Sequence, residues 1–158
     1  MALTRSIRRP LGRFVQIDGR RRALVVEAVL WLTLARLALI FIPFPRLAKH
    51  LGAFVSPADA RALHDAVSTG PRCAAVATEV GWAVTRAARY VPLKAVCLPQ
   101  AMAARIMLNR RGIASVMHFG AAKGDEKAFD AHAWLDAAGI EVTGYPVAKG
   151  FAEIGCFV

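Results

Sequence analysis

The hydrophobic pattern of the chain changes character once, at Gly112, and that change constrains the fold more than any other feature. Before it, apolar residues recur at helical spacing; after it, they fall into short runs bounded by glycine. Helices first and strands afterwards is the order of an α+β domain, not of alternating β-α units.

Leu24, Ala28, Trp31, Leu32, Ala35 and Leu39 predict a helix from about Arg22 to Ile42, ended by Pro43 and Pro45. Pro45–Gly52 continues as a short helical turn. Ser56-Pro57 reads as an N-cap with proline at the first helical position, opening a helix to about Ser68 that Thr69-Gly70-Pro71 stops. The next helix, Arg72–Tyr90, carries Val76, Val80, Ala83, Val84 and Ala87 on one face. Leu98–Arg111 is a further helix, closed by Gly112 as its C-cap residue. Strands follow at Ala114–Gly120, Ala128–Asp136, Ile140–Thr143 and Phe151–Val158, with turns at Gly124-Asp125 and Ala138-Gly139. A length of 158 residues fits one domain, over 56–158, preceded by a basic tail and hydrophobic helical segment over 1–55.

Charge is concentrated in that first segment. Residues 1–50 hold ten Arg and Lys against Asp18 and Glu27 alone, which accounts for most of the formal net charge of +10. Such a segment attracts an acidic peptide, a partner protein or anionic lipid. Nucleic acid is not expected, because aromatic residues are not interleaved with the bases and no nucleic-acid module appears. Ala23–Phe44 is 22 residues long and apolar, enough to span a bilayer. Glu27 and Arg36 interrupt it, and a central Arg costs roughly 2.5–3.5 kcal/mol on insertion. A buried or membrane-surface helix is the better reading, and a cleavable signal peptide fits poorly because the basic lead runs to Arg22.

Three cysteines, Cys73, Cys97 and Cys156, stand at unrelated spacings, which is neither a disulfide framework nor a zinc pattern. Cys97 differs from the others in opening a helix. Free N–H groups of a first turn favour an anionic sulfur there and can hold a developing oxyanion, here through the N–H groups of Cys97 and Leu98. Lys94 adds positive charge nearby. His132 lies mid-strand in Asp130-Ala131-His132-Ala133-Trp134, 35 residues after Cys97. Period two puts His132 and Trp134 on one strand face, where the indole either packs beside the imidazole or serves as ordinary core packing. A thiol and an imidazole in reach of one another form the working unit of cysteine acyl transfer. Cys73 and Cys156 read as core thiols, His50, His64 and His118 show no ligand spacing, and Gln100 lies on the wrong side of Cys97 to donate to an oxyanion. No cofactor or metal is expected.

Cys97-Leu98-Pro99-Gln100-Ala101, then Leu108 to Gly112-Ile113, then Ala131-His132-Ala133-Trp134-Leu135 with Gly139, resembles the transglutaminase-like B proteins of lasso-peptide biosynthesis. These in turn are similar to the C-terminal domain of the microcin-maturation protease. The likeness covers roughly residues 60–158, with Glu27-Ala28 and Leu34-Ala35-Arg36 similar to the family's helical lead. It implies a papain/transglutaminase-like α+β fold: N-terminal helices, then a small antiparallel sheet packed on the helix that begins at the nucleophile. It also implies a cytoplasmic cysteine peptidase, at most peripheral at the inner membrane face, that removes the leader from a ribosomally made precursor. Cys97 would attack the scissile carbonyl and His132 would move the proton. The implied partners are the precursor peptide, a separate leader-recognition protein and an ATP-using lasso cyclase. A non-catalytic scaffold of the maturation complex and another acyl transfer, such as amide cross-linking, are the rival functions. The family pattern often places an aspartate about twelve residues after the histidine, and Gly144 stands there. Asp130, Asp136, Glu141 or a backbone carbonyl are the alternatives for holding the imidazole.

Overall fold

The structure, a computed structural model, describes residues 18–60, 70–91, 96–123 and 130–158. The expected helix Pro57–Ser68 begins at 57–60 and otherwise lies outside the described residues, as do the basic tail up to residue 17, Lys94, His64 and the Gly124-Asp125 turn.

Helix α1 runs Gly19–Phe41, three residues earlier than the apolar periodicity begins, because the Asp18 side chain caps its N-terminus by accepting from the Arg20 N–H at 3.3 Å. A short helix, α2, spans Phe44–Ala48 with proline in its first turn. Helix α3 covers Pro71–Ala88 and α4 covers Cys97–Asn109. Leu24, Val25, Ala28, Leu32 and Ala35 form the inward face of α1, packed in one core with Ala77, Val80 and Val84 of α3 and Met107 and Leu108 of α4. The opposite face of α1 is apolar but exposed, with Val26, Leu30, Leu34, Leu37 and Phe41 at the surface. By length and composition alone, α1 is apolar enough to cross a membrane.

The strands are β1 (Phe54–Val55), β2 (Val116–Ala122), β3 (Asp130–Ala137), β4 (Ile140–Thr143) and β5 (Ala152–Phe157). They form one sheet in the order β1-β5-β2-β3-β4, with every pairing antiparallel. Ala133, Leu135 and Ala137 of β3 enter the helical core, so period two turns His132, Trp134 and Asp136 the other way. The expected α+β, papain/transglutaminase-like architecture is the one observed: helices followed by a small antiparallel sheet against α4.

Two features lock α3 and α4 to the sheet. Gly81 of α3 lies so close to β4 that a Cβ there would stand 2.5 Å from the Val142 carbonyl oxygen, and only glycine allows that approach. Arg105 of α4 is buried and donates through Nη1 to the carbonyls of Ser115 at 2.6 Å and Phe157 at 3.1 Å. Burial holds its pKa below the ordinary arginine value. These contacts tie α3 to β4 and the later part of α4 to β5 and the residues just before β2.

Candidate active site at the tip of the fourth helix

Cys97 is the first residue of α4 and is half-buried. Its N-cap, Val96, has extended backbone, and no side chain caps this end. A cavity of about 350 Å³ opens here, bringing together Cys97 and Gln100 of α4, Thr85 of α3, His132 of β3 and the 141–146 stretch. The two residues singled out from sequence therefore share one pocket, and Gln100, assigned no role from sequence, also lines it. A larger cleft of about 500 Å³ lies between α1, α3 and the segment after α4. It holds Cys73 but no histidine, and Glu27, Arg111, Arg20 and Glu79 on its walls are engaged in ion pairs, so the smaller pocket is the candidate site.

His132 Nε2 donates to the backbone carbonyl of Gly144 across 2.6 Å. A carbonyl oxygen only accepts, so Nε2 carries the proton and the neutral ring keeps its lone pair on Nδ1. The ring is packed by Trp134, stacked at 5.8 Å, and by Phe151, tilted at 5.5 Å. Orientation and tautomer are thus set by one backbone acceptor and two aromatic walls, which is what a triad's third residue ordinarily supplies.

Gly144 explains why a backbone atom does this. Its φ is +84°, in the left-handed region, and a Cβ would lie 2.5 Å from the Ala133 carbonyl and 2.8 Å from the Trp134 Cα. No side chain fits there unless β3 moves, whereas the bare backbone turns its carbonyl onto the imidazole. The alternatives named from sequence go elsewhere. Asp136 contacts His118 and accepts from the Tyr145 hydroxyl at 2.6 Å. Glu141 is an exposed pocket residue, and Asp130 is exposed at the start of β3.

Tyr145 lines the pocket and its hydroxyl is tied back to Asp136. Burial, then the Asp136 hydrogen bond and negative charge, push its pKa well above the ordinary tyrosine value, so it remains a protonated donor. Sequence reasoning missed this residue, because only the chain reversal after β4 brings it to Asp136.

A second Cys–His grouping was equally invisible. His118 Nδ1 is 2.5 Å from Glu153 Oε1 and 3.4 Å from Cys156 Sγ, while Nε2 makes a 3.2 Å ion-pair contact with Asp136 off the hydrogen-bond line. Burial disfavours the His118 charge, but Asp136 and Glu153 outweigh it and raise the pKa above the ordinary histidine value. Residues 118, 153 and 156 meet through β2–β5 pairing, which no linear spacing announces. Cys156 is fully buried, and Cys73 is half-buried against the core, in keeping with core thiols.

A thiol at a helix N-terminus and an imidazole with a lone pair are the parts needed for nucleophilic acyl transfer. A family model described as the transglutaminase-like superfamily matches residues 38–156. Neither a search of curated proteins nor one of solved structures found a match to the chain.

Proposed function

The chain belongs to the transglutaminase-like superfamily, whose members usually carry cysteine-protease or acyl-transfer activity, and from this premise we propose that it is the leader peptidase of lasso-peptide biosynthesis. One observation carries the reading: Cys97 and His132 line the same pocket, with His132 Nε2 committed to the Gly144 carbonyl. Nδ1 then takes the Cys97 proton, and the sulfur attacks the scissile carbonyl of the precursor. The N–H groups of Cys97 and Leu98 receive the oxyanion. The imidazolium returns its proton to the leaving amine, and water, deprotonated by the same nitrogen, resolves the acyl-enzyme to a free carboxylate. Lasso closure by the ATP-using cyclase is a later step on the released peptide.

A separate leader-recognition protein is proposed to deliver the substrate, because the described part of residues 1–55 is largely helical and offers only the two residues of β1 as strand. The exposed apolar face of α1, with Arg20, Arg21 and Arg22 at its start, supports a peripheral contact with the inner membrane face. Recovery of the full chain in the supernatant with anionic vesicles, at the level seen without them, refutes that contact.

The experiment mixes purified protein, precursor and recognition protein and follows the products by mass. Leader release with addition of water, lost in Cys97→Ala and His132→Ala, is the expected result. Cleavage undiminished in both variants sinks the proposal, and loss of ammonia instead of gain of water assigns the pair to amide cross-linking. His132 rests on a carbonyl rather than a carboxylate, which is the observation favouring a non-catalytic scaffold. No cleavage by the wild-type chain under conditions where the complex assembles establishes that alternative.

A further inference from the structure

The geometry points to a site for one thiophilic divalent transition metal of the zinc type, held by His118 Nδ1, Glu153 and Cys156 Sγ on the β2–β5 ribbon and separate from the Cys97 pocket. The three donor atoms converge on one point. Sγ stands 3.4 Å from Nδ1 and 3.0 Å from Glu153 Oε1, which itself is 2.5 Å from Nδ1. Imidazole, carboxylate and thiolate are the ordinary protein ligands of zinc. Bonds of about 2.0–2.3 Å in a tetrahedron put ligand atoms roughly 3.3–3.7 Å apart. The Cys–His edge already has that length, and the two Glu153 edges must open. Glu153 is the most exposed of the three, its side chain 27% exposed against 13% for His118, with Cys156 fully buried.

The backbone is built for this convergence. Glu153 and Cys156 are three residues apart on β5, an odd interval that sends side chains to opposite faces of a regular strand. Here the β2–β5 register shifts: Phe119 pairs with Gly155 and the next residue, Gly120, pairs with Glu153. Ile154 is left over as the extra residue of a bulge and is 63% exposed. That one-residue slip brings Glu153 to the face of His118 and Cys156. Gly120, across from Glu153, has no side chain to crowd it, and Trp134 covers the imidazole by stacking at 5.5 Å with an interplanar angle of 3°.

An outer partner is also in place. Asp136 Oδ2 faces His118 Nε2 at 3.2 Å, and Tyr145 holds the other oxygen of that carboxylate. A carboxylate behind the far nitrogen of a metal-bound histidine fixes its tautomer and strengthens it as a ligand. Charge balances: a divalent ion with the Glu153 carboxylate and the Cys156 thiolate is neutral, and the Cys156 proton and any proton on Nδ1 leave to solvent. Three protein ligands leave one position for water.

The test titrates Co²⁺ alone into the full chain carrying Cys73→Ser and Cys97→Ser, so that Cys156 is its single thiol. The expected result is uptake of about one ion per chain with a thiolate-to-cobalt charge-transfer band, displaced by Zn²⁺. In the otherwise wild-type chain, Glu153→Gln and Asp136→Asn each weaken Zn²⁺ binding by about 10–100-fold. A folded single-thiol chain without the band overturns the assignment. So does wild-type affinity in both carboxylate variants, a readout that holds even where the single-thiol chain fails to fold.

Discussion

Two histidines stack on Trp134, and their partners distinguish the ring proposed to react from one that is held. His132 stacks on the indole at 5.8 Å and gives one nitrogen to one backbone carbonyl. His118 stacks at 5.5 Å and has a carboxylate at each nitrogen. A ring that donates one N–H to a carbonyl has, in its neutral form, its lone pair on the other nitrogen, whereas a ring between two carboxylates is favoured as a cation or as a metal ligand. Cys156 Sγ stands 3.4 Å from His118, and Cys97 lines the same pocket as His132. Cys97 is half-buried in the lining of a pocket and Cys156 is fully buried. Residue type is the same in both groups; partners and access set the chemistry.

The sharpest way to break this contrast is to exchange its two predicted consequences. His132→Ala lowers precursor cleavage by about 10²–10⁴-fold, the usual worth of a general base, while chemical denaturation shows a stability change below about 1 kcal/mol. Cleavage that survives His132→Ala contradicts the assignment. Gly144→Asp restores the carboxylate often present in the resembling family and is expected to impair, not improve, the enzyme. The Cβ meets the Ala133 carbonyl at 2.5 Å and the positive φ disfavours any side chain, so stability falls by about 1–3 kcal/mol and turnover drops as the carbonyl leaves His132. Faster cleavage would show that the carbonyl is a poor substitute.

His118→Gln reverses the pattern. It leaves Asp136 and Glu153, both mostly buried, without the cation between them, and costs about 1–3 kcal/mol of stability with far less effect on cleavage than His132→Ala. Equal losses of activity in the two histidine variants would erase the distinction. The smallest effect belongs to Glu27, which joins α1 to Arg111 after α4 at 2.6 Å. The Arg111 hydrogen bond, ahead of the opposing effect of burial, holds its pKa below the ordinary glutamate value. A lowered carboxylate pKa stabilises the fold above its unfolded value and is lost as pH falls through the folded one. Glu27→Gln therefore costs a few tenths to about 1 kcal/mol near neutrality, and the gap from wild type closes in acid.

Much of this was legible in the sequence because period and punctuation are local. The helical faces of α1 and α3, the Gly112 end of α4 and strand β4 emerge at nearly their observed limits. Cys97 and His132 stood out as candidates because each sits beside a local signal, a helix start and an alternating strand. What escaped depends on pairing between distant segments. β1 has two residues, too few for a period, and exists only because Phe54 and Val55 pair with Phe157 and Cys156. The His118 cluster requires the β2–β5 bulge. The acceptor for His132 is a main-chain atom, and main-chain atoms carry no residue code. Gly144 looked like a missing carboxylate, yet its missing side chain is what lets the carbonyl reach the ring.

The proposed mechanism has His132, and not His118, act on Cys97. It is tested most directly by the rate at which Cys97 is alkylated by iodoacetamide, read peptide by peptide by mass spectrometry near neutral pH. His132→Ala is expected to slow Cys97 modification by about tenfold or more while His118→Gln leaves it near wild type, with buried Cys156 slow in the wild-type chain. Unchanged Cys97 reactivity in His132→Ala, or a greater loss in His118→Gln, would contradict it.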